Sequence, residues 1–312
     1  MSRMLTVTLN PALDLFTATE RVLDTHKLRC DAPQRHPGGG GINVARVVHR
    51  LGGDCAALYP AGGPTGRTLR GLLDQEQVSS HCIAIAGDTR ESFTVHERAS
   101  GRDWRFLLPG PALAAAEWQA CWDAIVRLAA PAQWIVASGS LPPGVPADFH
   151  ARLARHARER GLRLVVDTSG AALAGALAEG VYLVKPSLRE LREFTGQPLA
   201  TPADQLAAAR ALVQGGQAHL VALSLGAEGA LLVTPELALQ AGGVAVPVAS
   251  TIGAGDSLLA GLLWALDSGV ALPDALAHGI AAGAASLLAP GTALCRPADV
   301  RRLRQQVRVT RL

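Results

Sequence analysis

The stretch Thr251-Ile252-Gly253-Ala254-Gly255-Asp256-Ser257 carries the strongest chemical signal in the chain. Leu258-Leu259-Ala260-Gly261-Leu262-Leu263 follows it and starts a helix. The glycines let backbone N–H groups turn toward one point at the positive end of that helix, which makes an anion site. A carboxylate inside an anion site is costly unless it takes a proton from something attacking the anion. Phosphoryl transfer needs that pairing: donors for the charge on the phosphoryl group and a carboxylate beside the nucleophilic hydroxyl. The plainer alternative is a capped helix start with an acid in its first turn.

A second glycine-rich element, Gly38-Gly39-Gly40-Gly41-Ile42-Asn43, lies far upstream. Four glycines before a helix allow very close backbone approach to a ligand, and Asn43 can donate to and accept from sugar hydroxyls. An amphipathic helix follows without a gap, which argues against a merely flexible loop. The element lacks the GK[ST] of a Walker A motif. Nor is there a tight strand–GxGxxG–helix unit with an acid at the next strand end, so a nucleotide-dependent dehydrogenase is disfavoured. Asp14, five residues beyond the first strand, can accept from two sugar hydroxyls; alone it reads as an ordinary turn aspartate.

Three polar segments follow predicted strands. Ser138 to Gly144 follows Trp134 to Ala137, Lys185-Pro186-Ser187 follows Val181 to Val184, and Ser224 to Gly229 follows His219 to Leu223. Ligands of open α/β sheets bind at the carboxyl ends of strands, so these segments place Gly, Ser and Lys around one rim suited to polyphosphate. Arg90, ahead of an alternating segment, is a candidate for gripping a substrate phosphate, with a solvated arginine as the alternative.

The elements that must position these residues follow a β-α-β-α rhythm from Met4 to Glu76, with strands at Met4 to Leu9 and Cys55 to Ala61. Two stretches break it. Leu13 to Pro33 and Arg90 to Leu108 contain period-two alternation such as Ser92-Phe93-Thr94-Val95-His96 and Trp104-Arg105-Phe106-Leu107. They are expected to form a separate small sheet, a lid, inserted at about 13–35 and 88–109. Helix and strand alternate again after Ala114, with a strand at Leu162 to Asp167 and a hairpin at Ala230 to Val233 and Leu237 to Ala241. Helices at Gly255 to Asp267, Pro273 to Leu288 and Pro297 to Val307 close the chain. The expected fold is a single α/β domain over 1–312, doubly wound, with a mostly parallel sheet, helices on both faces and a lid.

Composition supports this. With 49% hydrophobic and 18% charged residues, the chain can bury a large core, which excludes disorder. A net charge of +3 is spread along the sequence, and the Arg301 to Arg311 tail reads as the solvated face of a last helix rather than a nucleic-acid surface. The five cysteines are odd in number with no CxxC pair, a reduced, cytoplasmic pattern without a zinc site. Asp267, Pro273, Asp274 and His278 interrupt the most apolar region, so no membrane span is expected. The amino terminus lacks a signal-peptide layout.

Pro37 to Arg46 and Ser250 to Gly261 together resemble the ribokinase-like (PfkB) carbohydrate kinases. The resemblance runs from Leu5 to about Leu303 and extends to Lys27-Leu28-Arg29-Cys30, Pro60-Ala61-Gly62-Gly63, Ser138 to Gly144 and Gly291-Thr292. It is closest to the phosphosugar branch. Members acting on tagatose 6-phosphate or fructose 1-phosphate usually have Lys where this chain has Gly40. The resemblance implies Asp256 as base and Gly253, Ala254 and Gly255 as anion hole. It implies Asp14, Gly39, Gly40, Asn43, Ser138 and Gly139 around the sugar, with Arg90 and Lys27 on its phosphate. Lys185, Ser187, Ser224, Gly226 and Gly229 would line the ATP site. Glu190 fits the acid that organises Mg²⁺, although Ser187 replaces the family's Asn in that motif and reaches less far. Ser250, Ile252, Ser286 and Gly291 are placed to hold a monovalent cation such as K⁺ through carbonyl oxygens.

The expected activity is therefore ATP-dependent phosphorylation of fructose 6-phosphate at its 1-hydroxyl, by a homodimer joined through its lids. A sister kinase for tagatose 6-phosphate or fructose 1-phosphate is one alternative. A non-catalytic sugar- or nucleotide-binding regulator is the other, and Asp256 argues against it, since a binding module needs no base in its anion hole.

Overall fold

A computed structural model describes residues 3–312. Short runs buried along their whole length supply its central strands, as expected of strands covered on both faces. In chain order the elements are β1 (Met4–Val7), β2 (Ala12–Thr19), β3 (Gln34–Gly38), α1 (Gly40–Arg50), β4 (Cys55–Ala61), α2 (Gly63–Gln75) and β5 (Ser80–Ala84). Then come β6 (Arg90–Glu97), β7 (Arg102–Leu107), α3 (Ala115–Ala129), β8 (Trp134–Ser138), α4 (Phe149–Glu159), β9 (Arg163–Asp167), α5 (Gly170–Glu179) and β10 (Val181–Val184). The chain continues through α6 (Leu188–Thr195), α7 (Pro202–Gln214), β11 (Ala218–Ser224), β12 (Ala230–Val233) and β13 (Ala238–Ala241). It ends with α8 (Ala254–Asp267), α9 (Leu272–Ser286), α10 (Pro297–Arg304) and β14 (Val309–Arg311).

The main sheet has the order β14-β13-β12-β11-β10-β9-β8-β1-β4-β5. Every pairing from β11 across to β5 is parallel, while β12, β13 and β14 add an antiparallel margin. Residues of α1, α2, α8, α9 and α10 build one apolar core, and residues of α3, α4, α5, α6 and α7 build the other. The strand order reverses beside β1, which has β4 on one flank and β8 on the other. A ligand crevice is expected at the carboxyl end of the strands at such a switch point.

The lid grows from that place. Its strands have the order β3-β2-β6-β7, with β2 and β6 parallel and the outer pairs antiparallel. The register aligns Asp14 with Ser92 and Ser92 with Leu107, then Phe16 with Thr94 and Thr94 with Arg105. These six share the face that closes over the crevice. The opposite face carries Leu15, Phe93 and Phe106 in one row and Val95 beside Trp104 in the next. Phe93, Trp104 and Phe106 are 37%, 38% and 45% exposed, too much apolar surface to leave uncovered on so small a sheet.

Three strands depart from the expectation. β3 takes in Pro37 and Gly38, so the glycine run begins on the lid and not in a loop. β5 is a half-exposed edge strand whose Ser-His-Cys-Ile-Ala sequence lacks a run of strand formers. The Arg301 to Arg311 tail is not one helix: α10 stops at Arg304, and β14 pairs with β13. Among the described residues no helix is long and apolar enough to cross a membrane.

Candidate active site

The anion hole is built by backbone geometry. Gly253 caps α8 in the left-handed region at φ 76°, and a Cβ there would lie 2.6 Å from Leu294 Cδ2. Only glycine meets both conditions. Ala254, Gly255 and Asp256 form the first turn, with their N–H groups at the helix's positive end. Asn43, in the first turn of α1, donates from Nδ2 to Asp256 Oδ2 at 2.8 Å, so the two glycine-rich elements meet across 213 residues.

The first element is all glycine because it is threaded between side chains. A Cβ on Gly38 would strike the Asp14 carboxylate, and one on Gly40 the Ser138 hydroxyl. Gly39 caps α1 at φ 112°, with Thr8 Cγ2 2.6 Å from where its Cβ would be. Gly39→Ala is therefore expected to cost more than about 1 kcal/mol, since it imposes strained backbone as well as a clash. A chemical denaturation midpoint lowered with unchanged m-value would be the readout.

Asp14 points into a small cavity with Ser92, Thr94, Arg105, Ile252, Gly291 and Thr292. Burial pushes its carboxyl up to about 6, against the pull of Thr292, Arg46, Arg90 and Arg105. Burial likewise raises the Asp256 carboxyl above the usual carboxylate range; the Asn43 hydrogen bond and Lys185 oppose this, and Asp14 reinforces it. Lys185 is buried and pairs with Asp167 at 3.1 Å. Its Nζ lies 3.5 Å from where a Cβ on Gly255 would sit, so its ammonium lies beneath the anion hole. Burial works against that ammonium, but Asp167, Asp256 and Glu190 outweigh it and hold it charged.

Ser224, Gly226 and Gly229 open on a cavity of ≈ 540 Å³ that runs to Thr251, Ala254 and Gly255. Val244, Val246, Leu258, Ile280 and Leu287 make one side apolar. An apolar slot ending at an anion hole suits a nucleotide with its base in the slot and its phosphates at the helix end. Lys185 and Ser187 do not line this cavity. Ser187 caps α6: its hydroxyl accepts from the Glu190 N–H at 3.3 Å, and Glu190 Oε2 accepts from the Ser187 N–H at 2.8 Å. The hydroxyl is thus engaged, while Glu190 keeps Oε1 free of that bond.

Ser138 is buried at the end of β8 and donates to Asp167 Oδ2 at 3.5 Å; Gly139 N–H donates to the Asp167 carbonyl at 3.0 Å. Arg90 donates to the carbonyls of Pro11, Leu108 and Asn10, fastening the lid's root to β6. Lys27 lies exposed on the connection between β2 and β3 and makes no ion pair among the described residues. Ser250, Ile252, Ser286 and Gly291 come together on adjoining segments. The N–H groups of Ala249 and Ser250 both donate to the carbonyl of Leu287, next to Ser286, and Ile252 shares the small cavity with Gly291. Among the described residues no three acidic, histidine or cysteine side chains cluster as a metal site.

Sequence reasoning missed Asp167, Arg105, Thr292, Arg46 and the apolar nucleotide wall. Asp167 was legible, because it ends a parallel strand on the same edge as Ser138 and Lys185. Arg105 alternates with Trp104 and Phe106, and only the lid register reveals which face it takes.

Comparison with known proteins agrees with this geometry. The family described as pfkB family carbohydrate kinase matches residues 7–299. An ATP-dependent 6-phosphofructokinase isozyme 2 from Mycobacterium tuberculosis is 48% identical over 300 residues, covering 96% of this chain and 88% of that protein. A structure of phosphofructokinase-2 from Escherichia coli in complex with fructose-6-phosphate is 39% identical with a TM-score of 0.92, covering 98% of this chain and 99% of that one. A structure of the same enzyme in complex with potassium is 40% identical with a TM-score of 0.93 and the same coverage. With its two glycine-rich elements meeting at Asn43 and Asp256 under a β lid, the chain belongs to the pfkB family of carbohydrate kinases.

Proposed function

We propose that this kinase transfers the γ-phosphoryl group of ATP to the 1-hydroxyl of fructose 6-phosphate, giving fructose 1,6-bisphosphate. The observation that carries the reading is the position of Asp256. Its carboxylate lies at the anion hole, with the Asp14 cavity and the nucleotide cavity converging on Ile252 to Gly255. The relatives named for 6-phosphofructokinase activity supply the choice of sugar.

In this mechanism Asp256 takes the proton from the attacking hydroxyl, and the N–H groups of Gly253, Ala254 and Gly255 receive the charge on the transferred phosphoryl group. Lys185 adds a fixed positive charge beneath them. Asp14 and Asn43, with Gly39, Gly40, Ser138 and Gly139, hold the sugar hydroxyls. Arg90 has five N–H donors and spends three on carbonyls. In this reading the other two, with Arg105 in the Asp14 cavity and Lys27 on the exposed β2–β3 connection, would bind the 6-phosphate. Ser224, Gly226 and Gly229 line the ATP site, while Lys185 acts from beneath the anion hole and Ser187, outside the cavity, serves as the cap of α6.

Mg²⁺ would accompany ATP: with no ligand cluster among the described residues its oxygens would come chiefly from the phosphates, and Glu190, whose Oε1 stays outside the Ser187 cap, would organise it indirectly. Bound there, it would neutralise phosphate charge. K⁺ would be held through the carbonyls of Ser250, Ile252, Ser286 and Gly291, which lie on adjoining segments, and would add positive charge beside the anion hole.

The same reading takes 1–312 as one cytoplasmic kinase domain whose lid segments lie at about 13–35 and 88–109. It makes the protein a homodimer joined through the exposed Phe93, Trp104 and Phe106 faces of two lids. Sedimentation velocity at micromolar concentration should give a dimer for the wild type and a monomer for Phe106→Glu, which would bury an unpaired charge in that interface. A monomeric wild type would overturn the assembly. A coupled ADP-release assay over sugar phosphates tests the activity.

A further inference from the structure

Asn43 is a flat amide whose two ends look alike in shape, and only its surroundings decide which end faces Asp256. If the oxygen faced the carboxylate, two acceptors would meet. Arg46, one turn along α1, prevents this. Its NH1 donates to Asn43 Oδ1 at 3.3 Å and to the carbonyls of Pro37 and Thr292 at 2.9 and 3.0 Å. The guanidinium is itself fixed: Nε and NH2 fork onto Glu76, with NH2 2.6 Å from Oε1. The side chain is fully buried, an expensive place for a charge unless its geometry is used.

We infer that Arg46, anchored by Glu76, is a positioning residue that turns the Asn43 amide so that Nδ2 holds the Asp256 carboxylate in place at the anion hole. The chain of hydrogen bonds runs Glu76–Arg46–Asn43–Asp256 and also ties down Thr292 and Pro37, the two backbone segments flanking the Asp14 cavity. The charged groups around Asp256 are Lys185 after β10, Asp14 on β2, Arg105 on β7 and Asp167 at the end of β9. Around Arg46 they are Glu76, Arg50 and Asp14, with the neutral His36 on β3. The Asn43 hydrogen bond favours the ionised form of Asp256, so losing it moves the protonation of the base to higher pH.

The inference rests on Asp256 being the base. Its test compares Arg46→Met, Arg46→Lys and Arg50→Met by pH–rate profile with saturating ATP and fructose 6-phosphate. Arg46→Met removes every donor, yet Glu76 keeps Arg50, whose NH2 lies 2.9 Å from Oε2. Should that variant fail to fold, Arg46→Lys keeps a charge beside Glu76 but cannot also serve Asn43 and two carbonyls. Arg50→Met is the structural control: it gives up the Glu76 ion pair and the carbonyls of Ala293 and Cys295 without touching Asn43.

The expected result for both Arg46 variants is a fall in kcat of roughly tenfold, about the worth of one charge-assisted hydrogen bond, with KM for ATP little changed. The acid limb of kcat should also move to higher pH, while Arg50→Met keeps the wild-type limb. An unmoved limb in the Arg46 variants overturns the inference, whether kcat holds or falls in step with Arg50→Met. If Asp256→Asn is active, the underlying reading fails; if it is inactive and the Arg46 variants behave as wild type, only this inference fails.

Discussion

Asp256→Asn is expected to lower kcat by at least about 10² while leaving the fold and ATP binding intact. The amide keeps the shape of the carboxylate and can still meet Asn43 and the helix end, but it cannot accept the proton of the attacking hydroxyl. ATP binding is spared because the nucleotide cavity is lined by Ser224, Gly226, Gly229 and an apolar wall that do not involve this side chain. Calorimetric titration with ATP and steady-state kinetics separate the two effects. A variant that keeps most of its turnover would remove Asp256 from the role of base.

In the proposed mechanism the same residue, with Asp14, shapes the pH dependence of the wild type. Burial raises the Asp256 carboxyl, and Asp14 beside it protonates at about 6. The proposed mechanism uses both groups ionised, and both have folded values above their ordinary ones. Activity is therefore present above that raised range and lost as pH falls through it, well before an exposed aspartate near 4 would titrate. Through Asp14 the profile of kcat/KM should bend downward near pH 6, with a slope steeper than one proton wherever the raised Asp256 is also taking one up. A limb near 4 would mean that water reaches these carboxylates in the working enzyme.

The second large effect concerns the sugar. Fructose 6-phosphate should give the highest kcat/KM in a panel with tagatose 6-phosphate, fructose 1-phosphate, fructose and ribose. Asp14 is set among basic groups, Arg90 and Arg105, which an uncharged sugar does not require. A charge-assisted hydrogen bond contributes about 1.5–3 kcal/mol, so a substrate without the phosphate should be roughly ten- to a hundredfold poorer for each such bond it cannot make. Arg90→Ala should raise KM for the sugar phosphate far more than for ATP, although part of the effect will come from freeing the carbonyls of Asn10, Pro11 and Leu108. Tagatose 6-phosphate differs at one hydroxyl, and discrimination against it depends on whether that hydroxyl meets a buried partner such as Asp14. A win for fructose 1-phosphate or tagatose 6-phosphate would assign the enzyme to a sister activity. A win for ribose would end the phosphosugar reading.

Much of this protein is determined locally and was legible as such. The glycines at 38–41, 253 and 255, the helices that follow them and the apolar runs of β1, β4, β8, β10 and β11 are matters of backbone freedom and hydrophobic period, which a sequence states directly. The lid could be inferred from two alternating stretches that a parallel sheet could not absorb. Strands β3, β5 and β14 were not legible, because edge strands are held by a neighbour's ladder and not by their own pattern. The tertiary structure alone decided which face of the lid looks inward. That sends Arg105 to the Asp14 cavity and leaves Phe93, Trp104 and Phe106 outside. It also decided what the polar residues do once neighbours compete for them. Ser187 caps its own helix, Arg90 gives three donors to carbonyls, and Arg46 reaches Asn43 because α1 lies against the loop at Thr292. A residue's type fixes how many hydrogen bonds it can make; only packing brings the partners that take them up.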